Sequence, residues 1–302
     1  MAILPGIPCL RRVVCAIGFF LWAGALNPAF ACDTASLAEA FNAGDQPRLV
    51  ALAAEECSEE YRSLARRLQG LLVFNGIAAA VAEGKPLANF AQPLEEAVRT
   101  FGGPWPVWDA LGDIAREERD YAAAYRAYTR ALEQVRDQMG TPDWMAPDAA
   151  YIGRILRLAD EMRLAGNVKP VVFRCPCTWH VRGVRLKEKV FPGMFETGRD
   201  TISSDGAALL RELSGNLRAV FGARVTIAVH VRTEGNASGD MALSDARART
   251  LSQTIGALGF SQRVETMGLG RSIPWRSVDG EVYPPDVAAR LNNRIVIRVD
   301  YL

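Results

Sequence analysis

The chain has 302 residues, of which 49% are hydrophobic and 23% are charged, and its 35 Lys and Arg residues nearly balance its 34 Asp and Glu residues. This length corresponds to roughly two domains, and the hydrophobic content is sufficient for ordinary cores. A near-neutral chain lacks the strong positive charge that is typical of nucleic-acid-binding proteins, so we expect no nucleic-acid partner.

Residues 1–31 have the features of a secretory signal peptide. Arg11 and Arg12 precede an apolar run over residues 13–26, and residues 29–31 (Ala-Phe-Ala) give the small-x-small pattern that signal peptidase reads. We therefore predict an exported protein without a transmembrane span in the mature chain. The alternative is an uncleaved membrane anchor, although the run is shorter than the ~20 residues that span a bilayer.

Four cysteines follow the predicted signal peptide: Cys32, Cys57, Cys175 and Cys177. An even number of cysteines in an oxidising compartment favours disulfide bonds, but the sequence leaves their pairing open. A bridge between Cys32 and Cys57 would enclose two short helical segments and stabilise the N-terminus by ~3 kcal/mol. Lipidation of Cys32 is a further alternative, but Ala29 and Phe30 do not fit the usual lipidation motif.

Residues 32–166 read as helices, because alanine-rich segments with a 3.6-residue period are frequent and alternating β-branched residues are rare. One stretch resembles a tetratricopeptide repeat, W-x2-L-G followed by A-x3-[FY]-x2-A, at Trp108, Leu111, Gly112, Tyr121, Ala124, Tyr128 and Ala131. The small residues Gly112 and Ala124 fall where two helices would cross closely. A single repeat cannot bury its own faces, so neighbouring helices are expected to stack on it and to bind a protein partner. The alternative is a helical array that only fills space around the C-terminal half.

Residues 166–170 (GNVKP) mark the predicted break between the two halves, because glycine ends a helix and proline prevents its continuation. We assign residues 167–184 to a linker. It contains Cys175, Cys177 and His180, which are soft metal ligands, but no fourth ligand is evident. A metal-binding protein is therefore a third function to consider, and our main expectation is neither a metal nor a cofactor.

The C-terminal half carries several motifs in one order. The run HVRTEGNASGDMALSDARA occupies residues 230–248. It follows FETGRDTISSDGAALLREL at 195–213 and RVTIAVHV at 224–231, whose alternating β-branched residues predict a strand. It precedes VETMGLGRSIP at 264–274 and NNRIVIRVDYL at 292–302. Together they resemble the OmpA-like domain, whose central motif is close to GHTDxxGxxxxNxxLSxxRA. The resemblance implies an OmpA-like α/β sandwich over residues 185–302. The predicted fold class is α + α/β: an all-α TPR-like domain followed by this sandwich.

The same resemblance implies a binding site for peptidoglycan, at the diaminopimelate residue of the peptide stem. Arg247 occupies the position of the family arginine, and its planar guanidinium can bind a carboxylate through two parallel hydrogen bonds. Arg232 stands where the family has an aspartate, so a cation replaces the anion that would hold the ligand ammonium. Glu234 and Asp240 are candidates to supply the missing negative charge. Arg294, at the start of the final motif, is a further candidate contact.

The sequence lacks the motifs of common hydrolases and phosphotransferases. It has two histidines, no G-x-S-x-G elbow and no Walker loop, and its paired carboxylates lie in polar helical stretches, so we expect no enzymatic activity. Our main hypothesis, which follows from the resemblance, is a periplasmic adaptor that binds peptidoglycan and a protein partner. The resemblance also implies a Gram-negative envelope and an association with the outer membrane or cell wall. The alternative is a secreted scaffold of the same architecture that has lost wall binding. An acidic excess over residues 32–169 and a basic excess over 170–302 fit attraction to the wall, or complementarity between the halves.

Overall fold

The protein is described by a computed structural model that covers residues 32–168, 180–185, 187–219, 224–259 and 264–300. Two predicted features fall outside the described residues. These are the signal peptide at residues 1–31 and the pair Cys175 and Cys177.

The first part of the chain consists of helices: α1 (Thr34–Asn42), α2 (Gln46–Ala54), α3 (Glu59–Ala82), α4 (Ala91–Phe101), α5 (Trp105–Glu117), α6 (Tyr121–Arg136) and α7 (Ala149–Ala165). Short polar residues set most of their starts. Each of these cap side chains accepts a hydrogen bond from a backbone N–H of the first turn: Asp33, Asp45, Ser58, Asp120 and Asp148. The helical content predicted for residues 32–166 is therefore present.

A disulfide joins Cys32 to Cys57, with 5.7 Å between their Cα atoms. It agrees with the pairing considered from the sequence. The bridge ties the chain before α1 to the chain after α2, and both helices pack against α3 through a small core that includes Leu37, Leu49 and Leu68. The N-terminal helices are thus held by a covalent link as well as by apolar packing.

Helices α5 and α6 cross closely at the predicted small residue. A Cβ atom on Gly112 would lie 2.6 Å from a ring carbon of Tyr128, so only glycine fits there without a shift. Tyr128 is fully buried, and its hydroxyl donates to Asp113 Oδ1 at 2.7 Å. The close crossing expected from Gly112 is present, while the assignment of these helices to the tetratricopeptide class stays a prediction.

The C-terminal part contains a hairpin, a mixed sheet and three helices. Strands β1 (His180–Val181) and β2 (Val184–Arg185) form the hairpin; β3 (Glu188–Pro192), β4 (Arg224–His230), β5 (Val264–Gly270) and β6 (Arg294–Asp300) form the sheet. The order is β3-β6-β4-β5, with β4 and β5 parallel and the other pairs antiparallel. Helices α8 (Ser204–Ala219), α9 (Ala237–Ala257) and α10 (Pro285–Asn292) complete a mixed α and β architecture.

Alternation along the strands determines which face of the sheet is buried. In β4, Val225, Ile227 and Val229 are buried, and they share a core with apolar residues of α8 and α9. Helix α8 approaches the chain after β3 closely at Gly206, where an added Cβ atom would lie 1.9 Å from the carbonyl oxygen of Met194. The alternating pattern predicted for residues 224–231 is therefore the pattern of the buried face.

The largest hydrophobic core extends from the helical part into the sheet. It contains Tyr128 of α6 and Leu158 of α7 together with Phe191 of β3 and Ile297 of β6. Residues 180–185, which fall inside the predicted linker, form the hairpin and contact α6 and α7. The predicted division into residues 32–166, 167–184 and 185–302 stays a prediction. Apolar residues from all three ranges share one core. Among the described residues, no helix is both long and apolar enough to cross a bilayer.

Candidate functional site

A short closed loop precedes α8, and we call residues 196–201 the guanidinium loop. Phe195 and Ile202 pair at its base, the Glu196 N–H donates to the Thr201 carbonyl at 2.9 Å, and the Arg199 N–H donates to the Glu196 carbonyl at 3.1 Å. Gly198 takes a left-handed conformation at φ 69°, which a side chain would disfavour. Backbone hydrogen bonds therefore fix the shape of this exposed loop.

Arg247 of α9 inserts its guanidinium under the guanidinium loop. Its Nε donates to the Arg199 carbonyl at 2.8 Å and its Nη2 donates to the Glu196 carbonyl at 3.1 Å. The guanidinium carbon lies 4.9 Å from the centre of the Phe195 ring, a cation–π distance. With 7% of its surface exposed, Arg247 is held by backbone oxygens and by an aromatic face.

The charge of Arg247 has no acidic partner among the residues that the structure describes. Its two hydrogen bonds go to neutral carbonyl groups, and Nη1 has no hydrogen-bond partner within the same part of the chain. Burial lowers the pKa of Arg247, and the carboxylate of Asp200 opposes that shift. The arrangement is a fixed cation with unused donor capacity.

Asp240, a predicted candidate for the ammonium contact, is fully buried in the first turn of α9. Its Oδ1 accepts from the Thr233 N–H at 3.0 Å and from the Thr233 hydroxyl at 2.7 Å, and its Oδ2 accepts from Arg271 Nε. Burial raises the pKa of Asp240, but the Arg271 and Thr233 donors outweigh it and hold the pKa below its usual value. Both oxygens of this carboxylate are occupied.

Arg271 was not singled out from the sequence, yet it organises the loop between β4 and α9. Besides Asp240, it contacts the carbonyl oxygens of Thr233 and Gly235, at 3.2 and 2.6 Å from Nη2. Its position one residue after β5, within the family-like motif of residues 264–274, was the available signal. The spacing along the chain does not indicate the contact with Asp240, because 31 residues separate the two.

Arg232 and Glu234 lie exposed on the same loop. The side chain of Asn293 holds the backbone of Arg232 from both sides, accepting from its N–H at 3.1 Å and donating to its carbonyl at 2.9 Å. Within the described part of the chain, neither Arg232 nor Glu234 forms a side-chain ion pair. Position 232 thus presents a cation to solvent where the family has an aspartate, and the Glu234 oxygens have no partner among the described residues.

Arg294 is buried beneath the sheet end, where its Nη1 and Nη2 donate to the carbonyls of Leu291 and Ile273 at 3.3 and 3.1 Å. Its guanidinium carbon lies 5.2 Å from the Trp275 ring. Burial lowers the pKa of Arg294 to about 10. Burial and the nearby Arg294 charge lower the pKa of His230 to about 4. A ligand contact by Arg294 stays a prediction, since the described contacts place it inside the fold.

A second polar cluster joins the helices to the segment between β5 and α10, and we call it the seam. Glu161 of α7, fully buried, accepts from Trp275 Nε1 at 3.1 Å, the Val278 N–H at 2.9 Å and the Tyr283 hydroxyl at 2.8 Å. Asp279 accepts from Arg116 at 2.6 Å and from Arg154 at 2.7 Å. Asp279 is thus paired with two guanidinium groups, and Glu161 is held by three neutral donors.

A groove of about 400 Å³ lies near the seam, between the start of α6 and α10; its lining includes Arg119, Tyr121, Gly166, Asp286 and Arg290. None of these residues belongs to the guanidinium loop. Among the described residues, no three His, Cys, Asp or Glu side chains gather as metal ligands would. Two of the three predicted metal ligands, Cys175 and Cys177, lie outside those residues, and the structure describes His180 only as part of β1.

Comparison with known proteins gives partial likenesses. No protein-family model and no curated protein matches the chain. Among solved structures, the cell wall anchor of the T6SS from Pseudomonas aeruginosa is 22% identical, with 37% of this chain and 79% of that chain covered and a TM-score of 0.30. The OmpA-like domain of FopA1 from Francisella tularensis subsp. tularensis SCHU S4 is 15% identical over 37% of this chain and 75% of that chain, also with a TM-score of 0.30.

Proposed function

We propose that this protein is a non-enzymatic component of the cell envelope whose C-terminal half binds a carboxylate of the peptidoglycan peptide stem through Arg247. The observation that carries the proposal is the state of that guanidinium: fixed, nearly buried, free of any acidic partner in the described chain, and with one nitrogen unused. The resemblance of residues 195–302 to the OmpA-like domain supports the choice of ligand. The predicted signal peptide supports the location.

The physical argument concerns what a carboxylate ligand would gain at Arg247. The guanidinium is already ordered by two carbonyls and the Phe195 ring, so binding costs little side-chain entropy. No internal carboxylate has to be displaced first. A charged hydrogen bond at a largely desolvated arginine is stronger than one in open water.

Of the two acids predicted to replace the family aspartate, Glu234 is the better candidate. Asp240 uses both oxygens to hold Thr233 and Arg271, so a ligand ammonium would have to break internal hydrogen bonds. Glu234 is exposed and free of ion pairs among the described residues. Its neighbour Arg232 lowers the local attraction for a cation.

The adaptor part of the proposal assigns protein binding to helices α1–α7. Support comes from the TPR-like spacing of residues 108–131 and from the close crossing of α5 and α6 at Gly112. Stacked helices of this kind offer extended surfaces to peptide segments. Loss of a bound partner on substitution of exposed helix residues would test this part separately from wall binding.

Pelleting with purified peptidoglycan tests the wall-binding proposal. The mature chain is compared with Arg247→Ala and with the control Arg249→Ala, an exposed arginine on the same helix. We expect Arg247→Ala to weaken pelleting by at least about tenfold, because a charged hydrogen bond contributes ~1.5–3 kcal/mol, and Arg249→Ala to stay within about twofold. Equal pelleting of all three proteins would refute the role of Arg247.

The second candidate function is a scaffold that no longer binds the wall, and the exposed cation of Arg232 favours it. Under this function neither the native chain nor Arg247→Ala pellets. Restoring the family residue with Arg232→Asp then distinguishes a single lost contact from a rebuilt site. A gain of tenfold or more, on the order of 1–3 kcal/mol, indicates one missing contact, and no gain indicates a different use of this surface.

A further inference from the structure

The guanidinium loop carries an acid that sequence comparison with the family did not single out. Asp200 directly follows Arg199, whose carbonyl oxygen accepts the Arg247 Nε at 2.8 Å. Only two covalent bonds separate that carbonyl carbon from the Cα atom of Asp200. The Cα atom of Asp200, from which its side chain extends, therefore lies roughly 5 Å from the guanidinium.

The carboxylate of Asp200 makes no stabilising contact with the described part of the chain. The residue is exposed, and among the described residues it forms neither a hydrogen bond nor an ion pair. The other acid of the loop differs, because Glu196 faces Arg199 at 3.5 Å. Asp200 is close enough to Arg247 for its charge to oppose the effect of burial on the pKa of that arginine. The loop thus holds an anion and a cation near each other without joining them.

This separation follows from how the guanidinium is used. Nε and Nη2 donate to the carbonyls of Arg199 and Glu196, so one edge of the guanidinium faces the loop backbone and the Nη1 hydrogens remain for a carboxylate ligand. The loop is closed by the hydrogen bond from Glu196 to Thr201 and by the left-handed turn at Gly198. The backbone that carries Asp200 is therefore fixed beside the Arg247 guanidinium.

We propose that Asp200 supplies the ammonium contact that Arg232 cannot supply, so that Arg247 and Asp200 together recognise a zwitterionic amino-acid group, one carbon bearing an ammonium and a carboxylate. This inference rests on the proposed function, since it assigns the ligand class of the Arg247 site. The carboxylate of the ligand lies against the guanidinium and its ammonium against Asp200. The negative charge of the site comes from the loop before α8 instead of the loop before α9.

The test uses pelleting of the mature chain with peptidoglycan in the presence of two soluble competitors. Diaminopimelate carries an ammonium and a carboxylate at each end, and pimelate has the same carbon chain and carboxylates without the ammonium groups. For the native chain we expect diaminopimelate to compete at a concentration at least about tenfold lower than pimelate. For Asp200→Asn we expect weaker pelleting and a preference reduced to about twofold or less.

Glu234→Gln is the matched control, since it neutralises the rival acid on the neighbouring loop. We expect this variant to keep the native preference for diaminopimelate. If Asp200→Asn keeps the preference while Arg247→Ala loses pelleting, the inference is wrong and the proposed function stands. A loss of preference in Glu234→Gln with Asp200→Asn unchanged assigns the ammonium to Glu234 and also overturns the inference. If the native chain does not pellet, both proposals fail.

Discussion

The seam and the guanidinium loop both hold charged side chains away from water. They differ in whether the charged groups have all of their hydrogen-bonding atoms engaged. At the seam, Glu161 accepts three hydrogen bonds and Asp279 lies between two guanidinium groups. At the loop, Arg247 contacts neutral carbonyls while Asp200 stays unpaired within the described chain. The acids of the seam have their oxygens engaged, whereas Nη1 of Arg247 and the carboxylate of Asp200 have no partner among the described residues.

The difference indicates how to separate structural from functional charge in a protein without a bound ligand. A carboxylate with all of its neighbours engaged stabilises the fold, and a ligand could reach it only by breaking those bonds. A fixed cation beside an unpaired anion contributes less to folding and has more to offer a ligand. Burial alone does not make the distinction, because Glu161 and Arg247 are both buried.

The largest loss of stability is expected when the hydrogen bonds of Glu161 at the seam are removed. Glu161→Ala leaves the donors of Trp275, Val278 and Tyr283 without their acceptor, so we expect the free energy of unfolding to fall by ~3–5 kcal/mol. Glu161→Gln keeps one acceptor oxygen and should cost about half as much. Guanidinium unfolding curves measure both variants. A loss below ~1 kcal/mol for Glu161→Ala would show that the seam does not stabilise the fold.

The pH dependence of stability tests a third buried charge, Arg294, which lies near the imidazole of His230. His230 has a pKa of about 4 in the folded chain, below its usual 6.5, because of burial and the Arg294 charge. Between these values the unfolded chain binds a proton that the folded chain does not, so stability falls as pH drops from 6.5 to 4, by up to about 3 kcal/mol. His230→Gln should flatten this part of the curve, and an unchanged slope would contradict the assignment.

The next effect compares the two charges of the guanidinium loop by stability alone. Arg247→Ala removes two hydrogen bonds and the Phe195 contact, and we expect a loss of ~2 kcal/mol. Asp200→Asn should change stability by less than ~0.5 kcal/mol, because the carboxylate has no partner to lose in the described chain. Thermal unfolding distinguishes the two. A large loss for Asp200→Asn would mean that this acid serves the fold.

The smallest effect concerns Asp109 of α5, which lies beside the seam and accepts a hydrogen bond from Tyr151. Burial and the charge of Asp113 raise the pKa of Asp109 in the folded chain. The folded chain therefore keeps a proton that the unfolded chain has already lost, and stability decreases as pH rises above the usual value near 4. Asp109→Asn should remove that decrease and be ~1 kcal/mol more stable than the native chain at pH 8. Parallel unfolding at pH 5 serves as the control.

Local features of the structure were predictable from the sequence because neighbours along the chain determine them. Asp120 and Asp148 mark helix starts through their own side chains, and Gly112 indicates a close crossing through its size. The alternation of residues 224–231 predicted a strand with one buried face. The bridge between Cys32 and Cys57 was one of the pairings considered from the sequence, which left the choice open, and the structure contains it.

The rest depends on contacts that no spacing reveals. Trp275 reaches Glu161 across 114 positions, and the two residues lie in parts of the chain that the sequence divided into separate domains. The candidate site illustrates the same limit. The family pattern places the acid on the loop before α9, so the sequence indicated Glu234 on that loop and Asp240 in the first turn of α9. Asp200 lies 47 residues before Arg247, and only the folded backbone brings them together.

The core that runs from α6 and α7 into β3 and β6 has a mechanical consequence for a protein of this kind. Apolar side chains of the helices and of the sheet are in direct contact, so a force on the helices reaches the sheet through the core as well as along the chain. Two separately expressed halves cut near residue 166 would each expose the apolar surface of Leu158 or Phe191 to water. Such halves should aggregate or associate with each other.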